Sequence, residues 1–153
     1  MTSVASFEIE YLQYMDPTGK LVGKEKDLPA FAKDGQRLVE LFKQMLFVRV
    51  FDTKAIALQR TGKLGTYASC LGHEATHVGI GSSLKPEDVL APSYREYGAQ
   101  LYRGVRPRDV YMYWGGDERG NDYPNEPARH DFAWSVPIGT KCLHAAGSAL
   151  ACK

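Results

Sequence analysis

Residues 65–104, GTYASCLGHEATHVGIGSSLKPEDVLAPSYREYGAQLYRG, contain the pattern on which the fold prediction depends. The short apolar run at 88–91 is typical of a buried strand, and a Pro-Ser pair ends it. A helical pattern begins at about Tyr94, so Tyr94 and Arg95 fall where a strand passes into a helix. Backbone N–H groups and the positive end of the helix dipole collect at such a point, and an arginine fork suits phosphate. The pattern predicts an anion site; the alternative is an ion pair of Arg95 with a neighbouring carboxylate such as Glu96 or Asp88.

Helical spacing extends along most of the chain, both inside and outside this stretch. The longest pattern runs from Gln36 to Arg60, with Asp34 placed to cap its start and Gly62 to end it. Shorter helical patterns cover residues 72–84, 94–102, 108–114 and 141–152, the last with Thr140 as its cap. Because short buried strands alternate with these helices, the sequence predicts an α/β fold with a parallel sheet.

The two remaining segments are an N-terminal arm and a polar loop. Alternation at 7–11 and the Asp-Pro-Thr-Gly turn at 16–19 predict an arm over residues 1–28, either a small hairpin or an extended strap. Residues 29–153 are then the main domain. The run at 117–134 is polar and without period, which predicts a surface loop.

Composition narrows the class of protein. The chain has 153 residues and a formal net charge of +1, which gives no electrostatic support for binding nucleic acid or a membrane surface. No secretory signal is visible, and no apolar run approaches membrane length. Three cysteines without a C-x-x-C pattern predict reduced thiols, which favours a cytoplasmic location.

An H-E-x-x-H pattern at residues 73–77 raises a separate hypothesis, a zinc hydrolase. On a helix, His73 and His77 would share one face and Glu74 would act as general base. A third ligand is needed, and Glu96 is the remaining candidate because Ile80 stands where the extended motif has glycine. The alternative is a structural pair of histidines, one exposed and one hydrogen-bonded.

Longer runs carry a family resemblance: FDTKAIALQRTGKLGTYASCLGHEA, DVLAPSYREYGAQLYRGV, YWGGDERG and VPIGTKCLHAAGSALACK. Together they resemble the alpha subunit of the thiamine-diphosphate-dependent 2-oxo acid dehydrogenases, of the bacterial pyruvate dehydrogenase (acetyl-transferring) type. The branched-chain 2-oxo acid dehydrogenase alpha subunit is the alternative. The resemblance implies the N-terminal portion of a thiamine-diphosphate-binding fold, with a parallel sheet flanked by helices. It also implies oxidative decarboxylation of pyruvate and acyl transfer to a lipoyl group.

The resemblance assigns roles to particular residues. Tyr94 and Arg95 match the positions that contact the cofactor diphosphate, and Val136 and Ile138 match those that lie against its aminopyrimidine. Tyr67 matches a position near the substrate, which is a weaker inference. Three further residues match a monovalent-cation site found in some members: Ser135, Pro137 and Thr140.

The sequence departs from the family pattern at two positions and lacks the Mg²⁺-binding motif. The family usually has glutamine at both His73 and Lys141. Two hypotheses account for Lys141: its ammonium replaces the monovalent cation, or the cation site is lost. The resemblance places the Mg²⁺ ligands beyond Lys153, so the sheet is expected to be incomplete. The isolated chain is expected to be inactive and poorly stable, as a fragment, a split subunit or an inactive truncated remnant. The partners implied are a beta subunit, a lipoyl acyltransferase component and a small 2-oxo acid.

Overall fold

The computed structural model of the chain describes residues 4–153, and its regular structure there is helical. Five α-helices are formed: α1 (Gly35–Arg60), α2 (Glu74–Ser83), α3 (Tyr97–Tyr102), α4 (Pro107–Trp114) and α5 (Thr140–Ala151). Short 3₁₀ helices cover Glu25–Asp27, Ala30–Lys33, Glu118–Asn121 and Ala128–His130. The chain divides into two compact units, the first ending at Leu38 and the second running from Val39 to Lys153.

The prediction of an α/β fold with a parallel sheet is wrong, because residues 4–153 contain no β-strand. The run at 88–91 has no regular secondary structure, and a single backbone hydrogen bond joins it to the segment beside it, from Phe132 N–H to the Leu90 carbonyl at 2.9 Å. The Leu90 N–H is used by the Asp131 side chain, at 2.8 Å. None of residues 88–91 is buried, and Val89 is 41% exposed, so the predicted buried strand is wrong in its burial as well as in its pairing. An apolar run of this length does not specify a strand unless a ladder of backbone hydrogen bonds continues along it.

In the first unit, the predicted turn of the arm is confirmed and the predicted hairpin is reduced to its tip. Gly19 N–H donates to the Asp16 carbonyl at 3.0 Å, and Gly19 has a φ of 83°. Met15 and Leu21 form one isolated antiparallel bridge. The alternating run at 7–11 forms no strand. The boundary predicted at residue 28 stays a prediction.

Helix α1 begins and ends where its sequence predicts. The Asp34 carboxylate accepts a hydrogen bond from Arg37 N–H at 3.0 Å, which confirms the predicted cap. At the other end Gly62 has a φ of 71° and Lys63 N–H donates to the Leu58 carbonyl at 2.9 Å. The buried face of the helix consists of Val48, Phe51, Asp52 and Ala55.

Helices α2 and α3 pack at close range through glycines. A Cβ on Gly81 would lie 2.9 Å from Tyr102 Cβ, and one on Gly98 would lie 2.6 Å from His77 Cβ. The glycine-rich sequence of α2 predicts such an approach, and Gly81 confirms it, whereas nothing lies within 4 Å of a Cβ on Gly79. The contact holds the turn before α3 close to the start of α2.

The segment at 117–134 is more buried than its polarity indicates, so the prediction of a surface loop is wrong in part. Tyr123 and Trp134 are 5% and 6% exposed. The Trp134 indole donates to the Gln100 side-chain carbonyl, and the Gln100 amide donates to the Tyr123 hydroxyl at 3.2 Å. Two aromatic side chains thus anchor a segment without helical or strand periodicity to α3.

Helix α5 lies at the surface, and none of its residues is buried. Gly139, with a φ of 84°, precedes it and Thr140 is its first residue, so the predicted capping by Thr140 is wrong. All three cysteines are free thiols, as predicted. Among the helices of residues 4–153, none combines the length and the apolar character needed to cross a membrane.

Candidate anion-binding site

The turn at 93–96 is closed by the side chain of its last residue. The Glu96 carboxylate accepts hydrogen bonds from Ser93 N–H at 2.9 Å and Arg95 N–H at 3.3 Å. Because these contacts hold the turn outside the helix, α3 begins at Tyr97, three residues later than predicted, and has six residues. So short a helix gives little dipole, and the donors for an anion here are side chains.

Arg95 carries a positive charge that no ion pair within residues 4–153 neutralises. Its guanidinium donates to the Ser69 carbonyl and lies over the Tyr94 ring, 5.4 Å from the centroid. The carboxylates named as alternative partners are used elsewhere: Glu96 closes its own turn, and Asp88 accepts from Lys85 N–H at 2.8 Å. The Ser69 carbonyl fixes the direction of the guanidinium and leaves its charge available.

A cleft of about 250 Å³ opens beside this guanidinium. Six residues line it: His73, Ser93, Tyr94, Arg95, Glu96 and Ile138. The structure therefore brings together three of the residues assigned by the resemblance, namely Tyr94, Arg95 and Ile138. The resemblance assigns no cofactor contact to the other three lining residues, His73, Ser93 and Glu96. Hydroxyl, imidazole and guanidinium groups around one opening form a donor set suited to an anion.

Behind the cleft, Asp52 of α1 organises the loop that holds Arg95. Asp52 is 2% exposed and accepts hydrogen bonds from the Tyr67 hydroxyl at 2.9 Å, the Ser69 hydroxyl at 2.6 Å and Cys70 N–H at 2.8 Å. Burial, followed by the charge of Asp52, raises the pKa of Tyr67 and of the Cys70 thiol, so both remain protonated. Sequence reasoning missed Asp52; its signal was a carboxylate on the apolar face of a helical pattern.

Tyr67 and Val136, the other residues assigned by the resemblance, do not line the cleft. The Tyr67 ring stacks on Tyr97, with centroids 5.3 Å apart, and its hydroxyl is used by Asp52. Val136 is 49% exposed. Their assignments near the substrate and the aminopyrimidine stay predictions.

The predicted monovalent-cation site lies in the loop that leads into α5. Ser135 N–H donates to the Ser93 carbonyl at 3.4 Å, and Thr140 N–H donates to the Pro137 carbonyl at 3.4 Å. Lys141 Nζ lies 5.4 Å from the centroid of the Phe132 ring, and burial lowers the pKa of this lysine. Cation binding by this loop, and its replacement by Lys141, stay predictions.

The zinc-hydrolase hypothesis is wrong for residues 4–153, where no group of three or more His, Cys, Asp or Glu side chains could hold a metal ion. Helix α2 begins at Glu74, so His73 precedes it. A hydrogen bond from Arg49 at 2.5 Å lowers the pKa of Glu74 to about 2, which removes it as a general base. His77 is 3% exposed, and burial lowers its pKa.

Comparison with known proteins agrees with the motifs around this cleft. Residues 42–153 match the family described as Dehydrogenase E1 component. The chain belongs to this family. The resemblance to an E1 alpha subunit is confirmed by relatives that carry this name.

Three relatives show how far the similarity extends. The alpha subunit of 3-methyl-2-oxobutanoate dehydrogenase from Mycobacterium tuberculosis is 36% identical over 149 residues, which are 95% of this chain and 39% of the relative. The pyruvate dehydrogenase E1 alpha subunit from Acholeplasma laidlawii is 36% identical over 138 residues, 90% of this chain and 39% of the relative. The pyruvate dehydrogenase E1 alpha subunit from Staphylococcus aureus is 32% identical over 146 residues, 95% of this chain and 38% of the relative. The chain thus spans less than half the length of these relatives.

Proposed function

We propose that this protein is an alpha subunit of a 2-oxo acid dehydrogenase, and that its Arg95 cleft holds the diphosphate end of thiamine diphosphate. The observation that carries the proposal is a guanidinium without a carboxylate partner in residues 4–153, fixed by Ser69 at the mouth of a cleft. Family membership and the names of the relatives support the reaction class. The substrate proposed is pyruvate, and the product acyl group goes to a lipoyl group.

The donors present fit a diphosphate. A diphosphate offers oxygen acceptors, and the lining residues offer the Arg95 guanidinium with the hydroxyls of Tyr94 and Ser93. The Glu96 carboxylate also lines the cleft, and its engagement by two backbone N–H groups reduces its repulsion of an anion. Residues 4–153 contain no group of three or more His, Cys, Asp or Glu side chains that could hold a metal ion.

In this proposal the lining residues bind and orient the cofactor and take no part in making or breaking bonds. When bound, the cofactor supplies an electron-accepting ring for decarboxylation. Arg95 fixes one end of it by charge, with its direction set by the Ser69 carbonyl and the Tyr94 ring. Ile138, 85% exposed at the rim, offers an apolar surface to the rest of the ligand. Catalysis then requires a beta subunit and a lipoyl acyltransferase, and the location proposed is cytoplasmic.

Cofactor binding tests the site. Thiamine diphosphate is titrated by calorimetry into the complete protein with its beta partner, as wild type and as Arg95→Ala. We expect a dissociation constant at least about tenfold higher for the variant, because one charge-assisted phosphate contact is lost. The control is Arg119→Ala, which removes an exposed arginine paired with Asp117 outside the cleft. Equal dissociation constants for wild type and Arg95→Ala would reject the anchoring role.

A branched-chain substrate is the second candidate, because the M. tuberculosis relative is as similar to this chain as the A. laidlawii relative. The measurement is kcat/KM for pyruvate and for 3-methyl-2-oxobutanoate in the assembled enzyme. A higher value for pyruvate supports the first proposal. A preference for the branched acid would replace pyruvate as substrate and leave the cofactor site unaffected.

A further inference from the structure

His73 lies in the Arg95 cleft and has no role in the function proposed so far. It directly precedes α2, its side chain is exposed, and it lines the cleft with Ser93, Tyr94 and Arg95. The imidazole of His73 contacts the His77 ring edge-on, with ring centroids 5.5 Å apart. The imidazole of His73 forms no hydrogen bond with another residue of 4–153, so both ring nitrogens remain available to a ligand.

The other charged groups near His73 are either permanently charged or held by hydrogen bonds or ion pairs. Among the six lining residues, Arg95 is permanently charged, and the Glu96 carboxylate is bound by two backbone N–H groups. On α2, Glu74 is paired with Arg49, and burial lowers the pKa of His77, which favours the neutral form of that ring.

The remaining cation nearby faces a different cavity. Lys141 lines the space next to this cleft, together with Ser93 and Glu96, and its ammonium lies against the Phe132 ring. Among the six lining residues, histidine is therefore the side-chain type whose positive charge can change between weakly acidic and weakly basic pH.

We propose that His73 is a second cationic contact for the diphosphate, one that strengthens binding as the pH falls. The inference rests on the proposed function, since it concerns the ligand of the same cleft. Histidine is the side chain that changes charge between about pH 5 and 8, and its protonated ring donates from both nitrogens. Charge-assisted bonds to phosphate oxygens are about twice as strong as neutral ones. Arg95 supplies the constant part of the affinity and His73 the part that depends on pH.

The test compares wild type with His73→Gln in the assembled protein. Inorganic pyrophosphate and thiamine diphosphate are titrated by calorimetry at about pH 6 and about pH 8. Phosphate groups themselves gain a proton near pH 6. The measured quantity is therefore the ratio of the two proteins' dissociation constants at each pH, from which the ligand's own titration cancels. We expect glutamine, which donates without charge, to weaken binding about tenfold at the lower pH and less than about threefold at the higher pH.

The matched control is His130→Gln, since His130 is an exposed histidine that contacts Glu126 at 3.3 Å and does not line the cleft. Its ratio is expected to be one at both pH values. A ratio for His73→Gln that is the same at both pH values would overturn the inference, whether it equals one or exceeds it.

Arg95→Ala separates this failure from failure of the proposed function. If Arg95→Ala weakens binding and His73→Gln does not, the anchoring role stands and the inference fails. If Arg95→Ala leaves binding of both ligands unchanged, the proposed site itself is wrong and the inference fails with it. Retention of the wild-type thermal unfolding midpoint by His73→Gln shows that the comparison concerns binding and not folding.

Discussion

Arg103 and Arg95 lie at opposite ends of α3 and have opposite surroundings. The Arg103 side chain is 1% exposed and donates two hydrogen bonds of 2.8 Å to the Asp131 carboxylate. It also donates to the carbonyls of Lys85 and Asp88. Arg95 is partly exposed, and its side chain donates to one carbonyl, that of Ser69.

This difference is the one expected between a structural cation and a cation available to a ligand. A buried guanidinium is tolerated where its charge is paired and its donors are satisfied, as around Arg103. It connects the segment at 85–90, where the sequence predicts a strand, to Asp131, which the sequence predicts to lie in a surface loop. Arg95 has fewer contacts, with the Ser69 carbonyl and the Tyr94 ring, and it lines a cleft, so its charge remains available to a ligand. The two arginines should therefore respond differently to the same substitution.

The largest effect is expected for Arg103→Ala. The variant leaves the Asp131 carboxylate buried without its partner, and breaking a buried pair in this way costs about 3–5 kcal/mol. Urea unfolding of the purified protein, followed by circular dichroism, measures the loss of unfolding free energy. The control is Arg119→Ala, which removes an exposed pair and should change little. Similar losses in both variants would show that the buried cluster does not hold these segments together.

Local spacing predicted the helices well and the segment around Arg103 poorly. The patterns behind α1, α2, α4 and α5 repeat within one turn of the chain, so each helix appears within two residues of its predicted start. The run at 88–91 is held by Asp131, which lies far along the chain, and no local period reports such a contact. The prediction of a sheet was wrong for this reason.

The cleft was predictable where motif and turn coincide. Tyr94 and Arg95 are adjacent in the sequence, and the resemblance placed Ile138 with them. The position of His73 in the cleft was not predicted, because the H-E-x-x-H pattern indicates a metal site instead. Asp52 reaches Ser69 across the turn after α1, and a carboxylate on an apolar helix face gave the one available signal.

A smaller loss is expected for Asp52→Asn, because this residue supports Arg95 from inside the fold. An asparagine carbonyl cannot accept from all three donors that Asp52 now satisfies, so we expect a loss of about 2–3 kcal/mol in unfolding free energy. Thiamine diphosphate binding should weaken as well, since the Ser69 carbonyl directs Arg95. The exposed Asp122→Asn variant is the control. Unchanged stability of Asp52→Asn would contradict the role of this network.

Glu74 is expected to make a pH-dependent contribution to the free energy of unfolding, smaller than that of Asp52 and larger than that of Arg95. Its pKa lies at about 2 in the folded chain against an ordinary 4.5, chiefly because Arg49 donates to it. The stabilisation is present above pH 4.5 and is lost as the pH falls towards 2. Glu74→Gln should cost about 1 kcal/mol at neutral pH, since the half-exposed Arg49 is screened by solvent. The urea unfolding midpoints of variant and wild type should converge as the pH falls from 4.5 towards 2. A difference that stays constant over this range would show that the Glu74–Arg49 pair is not the source of the stabilisation.

The smallest change in stability is expected for Arg95→Ala, the same substitution that is most damaging at Arg103. The variant loses one hydrogen bond to the Ser69 carbonyl and a contact with the Tyr94 ring, worth less than about 1 kcal/mol together at a partly exposed site. In urea unfolding without ligand it should therefore resemble wild type. With thiamine diphosphate present, the wild type should gain stability according to the ratio of ligand concentration to dissociation constant, and the variant should gain less. If Arg95→Ala instead destabilised the ligand-free protein as much as Arg103→Ala does, Arg95 would be a second structural cation. Its open donors would then be no evidence for a diphosphate site.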